Sequence, residues 1–238
     1  MPRYRIDKIL KSQGMGSRKE VHTLINSKKI RINDIIIKAN DIKIDPFLDE
    51  IFIDNKKLSY KEKIYVMMNK PKGILTATRD SLTNTVIDLL EDRLKNRELF
   101  PAGRLDKDTT GFVLLTDDGD FAHRLISPKS NIYKTYEAVL NASVNEKELE
   151  QFEKGIILED GYVCLPSKIK ILKDENTPLI EIKICEGKYH QIKRMFKSVN
   201  REVIELKRTK IGGLNLDLEL NPCEYKELLE SDIDLILK

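Results

Sequence analysis

The residues best suited to chemistry lie in one loop that leads into an apolar strand. In Gly103-Arg104-Leu105-Asp106, the glycine frees the backbone, the arginine supplies a planar cation and the aspartate supplies a carboxylate. The apolar run 112–115 and the turn signal Asp118-Gly119 follow, and they predict a short buried strand that ends in a tight turn. A carboxylate just before such a strand can be held rigidly beside a basic partner.

The sequence lacks the motifs of several common kinds of catalysis. It has no G-x-x-x-x-G-K phosphate loop, no G-x-G-x-x-G after a strand, no H-E-x-x-H and no cysteine cluster. No serine lies in a nucleophile-elbow sequence, and only three histidines are present, which argues against a Ser-His-Asp hydrolase. These absences leave an aspartate that acts as nucleophile or base, with no cofactor and no metal site.

Two later segments carry polar side chains on predicted secondary structure. The alternating strand predicted over residues 133–140 contains Lys134-Thr135-Tyr136. After Glu186-Gly187, residues 188–197 place Ile192, Met195 and Phe196 at helical spacing, which predicts a helix with its cations off the apolar face.

The remaining pattern predicts the elements that must position these residues. A polar linker at 54–63 separates two folding units, with a boundary near Ser59. Beyond it, the sequence predicts an α+β domain of mixed, mainly antiparallel strands. The predicted strands include 64–68, 74–78, 156–158, 162–165, 169–172, 179–185, 203–207 and 214–216, and the predicted helices include 85–95, 121–126, 145–155 and 224–229.

A loop between the first two of these strands carries two lysines. Pro71 and Gly73 both favour a turn, so Lys70 and Lys72 are predicted to lie at an exposed tip.

The N-terminal segment is strongly basic. Residues 1–31 contain nine Lys and Arg residues and two acidic residues, a net charge of +7. The capping box Ser17-Arg18-Lys19-Glu20 opens the second of two short predicted helices and places Arg18 and Lys19 in its first turn, beside a predicted hairpin. On charge alone this is either a solvated face or a surface for a polyanion.

The whole chain has the composition of a soluble globular protein. It has 238 residues, a hydrophobic fraction of 40% and a charged fraction of 34%. It contains neither an apolar run of bilayer-spanning length nor a signal-peptide core, so we expect a cytoplasmic protein without a membrane partner. The three widely spaced cysteines predict reduced thiols rather than disulfides or a zinc site.

The N-terminal motifs resemble those of the S4 RNA-binding domain. The resemblance lies in Arg5-Ile6-Asp7-Lys8-Ile9-Leu10, Gly16-Ser17-Arg18-Lys19-Glu20, Leu24-Ile25 and Ile30-Arg31-Ile32-Asn33. It implies that residues 1–58 form a small S4 domain that binds structured RNA. Arg5, Arg18 and Lys19 are its candidate RNA contacts.

The three ordered motifs behind this module resemble the RsuA-like pseudouridine synthase family, whose members join an S4 domain to a catalytic domain. That resemblance implies that residues 59–238 form the catalytic domain. It also implies isomerisation of a uridine in ribosomal RNA to pseudouridine, without a cofactor. The N-glycosidic bond is broken in this reaction and uracil is rejoined through carbon.

The resemblance also implies roles for individual residues. Asp106 matches the catalytic aspartate, Lys193 the basic residue that pairs with it, and Tyr136 the active-site tyrosine, with Arg194 as the second choice for the basic partner. Ile192 would pack on the uracil, and Arg104 would fill the space of an everted base or contact a phosphate. Lys70 and Lys72 are further candidate RNA contacts.

The motifs leave three alternative functions open. Asp108-Thr109-Thr110-Gly111 and residues 189–196 look closer to the small-subunit enzymes, which favours 16S rRNA, or a small-subunit assembly intermediate, as the partner. The alternatives are a large-subunit 23S rRNA synthase and a non-catalytic RNA-binding assembly factor. We expect a monomer.

Overall fold

The computed structural model describes residues 2–174 and 177–238, and this part of the chain divides into two compact units. The first unit contains the residues up to Ile64 together with Ile87–Phe100, and the second contains Tyr65–Val86 and Pro101–Lys238. The boundary near Ser59 stays a prediction. The compact division, between Ile64 and Tyr65, falls six residues later and adds to the first unit the segment Ile87–Phe100, which the sequence predicts in the second.

Two short helices form the start of the first unit. They are α1 (Ile6–Ser12) and α2 (Arg18–Asn26). The predicted capping box at α2 is confirmed, because the Glu20 backbone N–H donates to Ser17 and the Ser17 backbone N–H donates to the Glu20 carboxylate at 2.7 Å. Ile6, Leu10, Val21 and Ile25 are fully buried, so both helices turn an apolar face to one core.

Short strands complete this core. β1 (Tyr4–Arg5) pairs with β4 (Lys43–Ile44), and a second sheet has the order β3-β2-β5-β6. Its strands are β2 (Ile30–Ile32), β3 (Ile35–Ile36), β5 (Ile51–Ile53) and β6 (Lys56–Lys57).

The helix predicted over 85–95 is wrong in its first half. The only helix here is α3 (Asp92–Asn96), while Thr85 forms an isolated bridge with Leu75 and so is extended. The segment 87–100 belongs to the first unit, where the Arg97 guanidinium donates to the Gln13 side chain and to the Lys61 carbonyl.

One large mixed sheet organises the second unit. Its main strands run in the order β11-β12-β10-β13-β9-β7-β15, with β14 beside β13. Neighbours are antiparallel except for β13 and β9, which are parallel, so the predicted mixed, mainly antiparallel α+β fold is confirmed. The strands are β7 (Tyr65–Lys70), β8 (Phe100–Pro101), β9 (Thr110–Thr116), β10 (Lys134–Leu140), β11 (Lys168–Lys173), β12 (Leu179–Ile184), β13 (Val203–Ile211), β14 (Leu214–Asn215) and β15 (Tyr225–Glu227).

The structure describes four α-helices in the second unit, and the first three overlap predicted helices over most of their length. They are α4 (Gly119–Ile126), α5 (Glu146–Lys154), α6 (Gln191–Lys197) and α7 (Glu230–Ile236). A 3₁₀ turn at Pro128–Ser130 follows α4. None of the helices in residues 2–174 and 177–238 has the length and apolar character needed to cross a bilayer.

Four predicted elements in this unit are wrong. The strand at 74–78 and the pair of strands at 156–158 and 162–165 are reduced to isolated bridges, at Leu75 and between Ile157 and Val163. The helix at 224–229 is instead β15, and α7 begins only at Glu230. Tyr225 pairs with Met68 of β7, a contact from far along the chain that local periodicity does not reveal.

The strand β9 is the buried centre to which the 103–109 loop connects. Its residues from Gly111 to Thr116 are all buried. Gly111 has φ +95°, and a Cβ there would lie 2.3 Å from the Arg208 carbonyl oxygen. Glycine therefore permits the close approach of β9 and β13.

Candidate active site

A cleft of about 720 Å³ opens in the second unit, and it is lined by all three predicted motifs. The loop 103–107 contributes Asp106, β10 contributes Tyr136, and the segment leading into α6 contributes Ile192 and Lys193. The fold thus brings together residues that lie up to 87 positions apart in the sequence.

Asp106 lies between two basic side chains from this last segment. Its Oδ2 is 3.6 Å from Lys193 Nζ, and its Oδ1 is 3.6 Å from His190 Nε2. The Asp106 side chain is 27% exposed, so it reaches the cleft without facing bulk water entirely.

The Lys193 ammonium binds a second carboxylate more closely. Its Nζ donates to both oxygens of Asp108, at 2.6 and 2.7 Å, and this hydrogen bond holds the pKa of Asp108 below its usual value. Lys193 is therefore shared by two carboxylates, and the shorter contact fixes its position. Asp108 was not predicted, although its place two residues after Asp106 is visible in the sequence.

Buried hydrogen bonds hold the Asp106 loop in place. Thr76 Oγ1 donates to the Leu105 carbonyl at 2.9 Å, and Lys70 Nζ donates to the carbonyls of Pro71, Lys107 and Thr109 at 2.8 to 3.2 Å. Lys70 is fully buried, and burial lowers its pKa to about 8. The prediction that Lys70 contacts RNA at an exposed loop tip is therefore wrong: its ammonium is occupied inside the fold, where it stabilises this loop.

Tyr136 lies on β10 directly opposite Arg208 of β13. Both are buried, and the Arg208 guanidinium carbon lies 5.9 Å from the centre of the tyrosine ring. Arg208 Nε donates to the Phe112 carbonyl at 2.7 Å, and its Nη1 is 3.5 Å from the Tyr136 hydroxyl. Sequence reasoning missed Arg208, because its proximity to Tyr136 follows from strand pairing across 72 residues.

Comparison with known proteins shows the family to which the chain belongs. The family model described as RNA pseudouridylate synthase matches residues 64–198, which is more than half of the chain, and the S4 domain model matches residues 5–46. The chain belongs to the RNA pseudouridine synthase family.

Relatives and a solved structure agree over almost the full length of this pseudouridine synthase. It is 45% identical to an uncharacterized RNA pseudouridine synthase of Bacillus subtilis, over 98% of both chains. It is 36% identical to ribosomal small subunit pseudouridine synthase A of Vibrio vulnificus, over 98% of this chain and 100% of that one. It is also 35% identical to ribosomal large subunit pseudouridine synthase B of Bacillus subtilis, over 94% and 95%. A pseudouridylate synthase crystal structure, 36% identical, has a TM-score of 0.69 and covers 98% of this chain and 99% of that one.

A buried carboxylate supports the segment of the pseudouridine synthase that carries His190 and Lys193. Glu186 accepts hydrogen bonds from the Tyr162 hydroxyl, the Leu165 backbone N–H and the Gln191 side chain, all between 2.7 and 2.8 Å. The bond to Glu186 raises the pKa of Tyr162 to about 12. Ile192 follows Gln191 in the chain and is buried in the cleft wall, where it contributes an apolar surface.

Arg194 is directed away from Asp106. Its Nη2 forms an ion pair with Asp160 at 2.6 Å, and it is absent from the cleft lining. The prediction of Arg194 as the alternative basic partner of Asp106 is therefore wrong, because successive residues of a helix point in different directions. Arg104 is exposed at the cleft, and Lys72 borders a smaller cavity with Asp108 and Lys193.

The predicted RNA contacts of the S4 domain differ in their freedom to bind. Arg18 and Lys19 are exposed in the first turn of α2. Arg5 forms a 2.7 Å ion pair with Asp7, with 43% of its side chain exposed. Arg18 and Lys19 are thus the more available pair of cations.

Proposed function

We propose that this enzyme converts a uridine of small-subunit (16S) ribosomal RNA to pseudouridine, with Asp106 as the catalytic carboxylate. The observation that carries the proposal is the position of Asp106. It lines the cleft together with Tyr136 and has the basic side chains of Lys193 and His190 within 3.6 Å.

The chemistry of the reaction fits this set of residues. When the N-glycosidic bond breaks, the sugar carbon becomes electron-poor and the detached base becomes an anion. The Asp106 carboxylate, with the Lys193 ammonium 3.6 Å away, can attack the ribose or the base, or remove a ribose proton. The new bond to a ring carbon of uracil releases a proton from that carbon, and the ring nitrogen gains one.

We assign recognition of the target uridine to side chains in the walls of the cleft. Tyr136 stacks on the everted uracil and Ile192 packs against its other side. Arg104, exposed at the edge of the cleft, contacts a phosphate or fills the space that the base leaves. Arg18 and Lys19 of the S4 domain attract the RNA backbone from the first unit.

The choice of 16S rRNA rests on the motifs that surround Asp106 and on the full-length similarity to small-subunit enzymes. A large-subunit target is the second candidate, because a large-subunit synthase is almost equally similar, at 35% against 36% identity. The proposed partner is ribosomal RNA or a small-subunit assembly intermediate, met by a monomeric enzyme in the cytoplasm.

Mapping of the modified site tests the proposal. The protein is incubated with unmodified 16S and 23S rRNA in separate reactions, and pseudouridine is located by carbodiimide-dependent primer extension. A new stop in 16S rRNA supports the proposal, and a stop confined to 23S rRNA supports the second candidate. Absence of any stop, in RNA that the protein demonstrably binds, would favour a non-catalytic assembly factor.

A further inference from the structure

Two aromatic side chains are stacked at the edge of the cleft. The rings of Tyr189 and His190 lie 3.9 Å apart between centroids, with an interplanar angle of 16°. The residue Tyr189 is 77% exposed, so most of its ring surface faces solvent. Because so little of the residue is buried, the Tyr189 ring contributes little to the free energy of folding, and its open face can contact a ligand.

The stacked pair extends from the solvent to the catalytic carboxylate. Both residues line the cleft, and His190 Nε2 lies 3.6 Å from Asp106 Oδ1. His190 has φ +48° and precedes α6 without a side-chain capping bond to that helix. Its ring is therefore directed to Tyr189 on one side and to Asp106 on the other, rather than to the helix end.

Neighbouring residues, not Tyr189, supply the packing of this segment. Gln191 and Ile192 are buried, and Gln191 donates to the buried Glu186. Ile192, Met195 and Phe196 provide the apolar face of α6. The Tyr189 ring is thus available for contact with a ligand.

We infer that the exposed face of Tyr189 is a stacking subsite for a base adjacent to the target uridine in the RNA. The inference rests on the proposed function and extends it from the target nucleotide to its neighbour. Removing a uridine from its stack leaves the adjacent base without one of its stacking partners. An exposed aromatic ring beside the cleft replaces that partner, and aromatic rings stack on any base with little dependence on its identity.

The chain offers a direct optical test because it contains no tryptophan. The variant Tyr189→Trp carries a single indole at the subsite, and Leu218→Trp is the matched control, since Leu218 is 96% exposed and absent from the cleft lining. Both variants are titrated with the rRNA fragment that the unaltered chain modifies, and binding is followed independently by anisotropy of labelled RNA. We expect strong quenching of indole emission in Y189W and little change in L218W at equal saturation.

The outcomes separate this inference from the proposed function. If the unaltered chain modifies the fragment and Y189W binds it without quenching, the stacking subsite is wrong and the proposed function stands. If the unaltered chain modifies no rRNA, both the proposed function and the stacking subsite are wrong.

A second measurement identifies the neighbouring nucleotide. Tyr189→Ala should lower kcat/KM on the fragment by about tenfold, within the range measured for loss of one base stack, while Tyr189→Phe should retain most of it. Abasic substitutions are then placed singly on either side of the target uridine. At one position the abasic site should reduce kcat/KM for the unaltered chain and cause almost no further loss in Y189A. Additive losses at every flanking position would overturn the inference.

Discussion

At the scale of single residues, the active site is built on a lysine that two carboxylates share. Lys193 holds Asp108 at 2.6 Å and Asp106 at 3.6 Å, so Asp108 determines where the ammonium lies and Asp106 experiences its charge. The Asp106 side chain also lines the cleft and is partly exposed there. We therefore propose that Asp108 positions Lys193 beside Asp106, the proposed catalytic carboxylate.

The role of Asp108 predicts a partial loss of activity in Asp108→Asn. Without the carboxylate, Lys193 is no longer fixed and its contact with Asp106 becomes less well defined, which should lower kcat on the order of tenfold with RNA affinity almost unchanged. Single-turnover kinetics on rRNA measures the effect. The control is Asp160→Asn, which breaks the 2.6 Å ion pair with Arg194 outside the cleft. Equal activity of D108N and the unaltered protein would contradict the positioning role.

Lys70 provides a test of stability at the residue scale. Lys70→Met leaves three backbone carbonyls without their donor and should lower the free energy of unfolding by about 2 to 4 kcal/mol. Lys72→Met, the exposed neighbour, should change it by less than about 0.5 kcal/mol. Denaturant unfolding at pH 7 measures both. Similar values for K70M and K72M would show that the buried hydrogen bonds do not stabilise the loop.

The lowered pKa of Lys70 also predicts a dependence of stability on pH. The folded protein releases this proton near pH 8, whereas the unfolded chain holds it up to about 10.5, so the unfolded state binds more protons between these values. The cost of burying the ammonium is fully present below pH 8, and stability gains as pH rises through this interval. K70M should lack this gain, measured as unfolding free energy at pH 7.5 and 9.5. An identical pH profile in K70M would contradict the assignment.

At the scale of elements, local sequence predicts best where local interactions decide the structure. The Ser17 side chain caps α2 as the capping box in the sequence predicts, since the box satisfies backbone N–H groups within four residues. The helix expected over 85–95 fails because Thr85 pairs with Leu75. Tyr225 becomes part of a strand because the edge of β7 is available to it. Both errors are tertiary contacts that override a periodic pattern.

Prediction of the candidate active site has the same limit, because local sequence does not reveal tertiary contacts. The resemblance carried by ordered motifs predicts roles for Asp106, Tyr136 and Lys193, and all three side chains line one cleft. The positions of Arg208 and Lys70 could not be read from spacing, because strand pairing buries the first and three distant carbonyls surround the second. A Lys-Pro-Lys-Gly loop gives no local sign that one lysine points inward.

The contact of β9 with β13 gives a prediction at this scale. Gly111 and Gly73 both have positive φ, +95° and +90°. A Cβ at Gly111 would meet the Arg208 backbone, whereas one at Gly73 would have no atom within 4 Å among the described residues beyond its chain neighbours. Gly73→Ala should cost about 1 kcal/mol of conformational strain, and Gly111→Ala should cost over 3 kcal/mol because two strands must separate. Thermal unfolding of the two variants measures the difference. Equal midpoints would contradict the steric role of Gly111.

At the scale of the whole molecule, we propose that the basic first unit attracts the RNA backbone. Deleting residues up to Asn55 is a poor test, because Arg97 is buried in that unit and donates to Gln13, so the segment 87–100 would lose its partners. Substitution of exposed cations avoids this damage.

The double variant Arg18→Gln/Lys19→Gln should weaken rRNA binding and reduce the slope of log affinity against log salt by about 1 to 2, as expected for one or two lost phosphate contacts. The charge-matched control is Lys168→Gln/Lys170→Gln, which removes two exposed lysines from β11 of the second unit. Filter binding between 50 and 200 mM salt measures the slopes (about the range in which such effects are large). Equal slopes for the two double variants would show that α2 does not contact the RNA backbone.

The variant Asp106→Asn tests most directly whether Asp106 carries out the isomerisation. The amide keeps the size of the side chain but removes the charge that Lys193 and His190 surround. Single-turnover formation of pseudouridine in rRNA should fall below detection, while RNA affinity measured in the same samples stays within about twofold. Appreciable turnover by D106N with normal RNA binding would contradict the account.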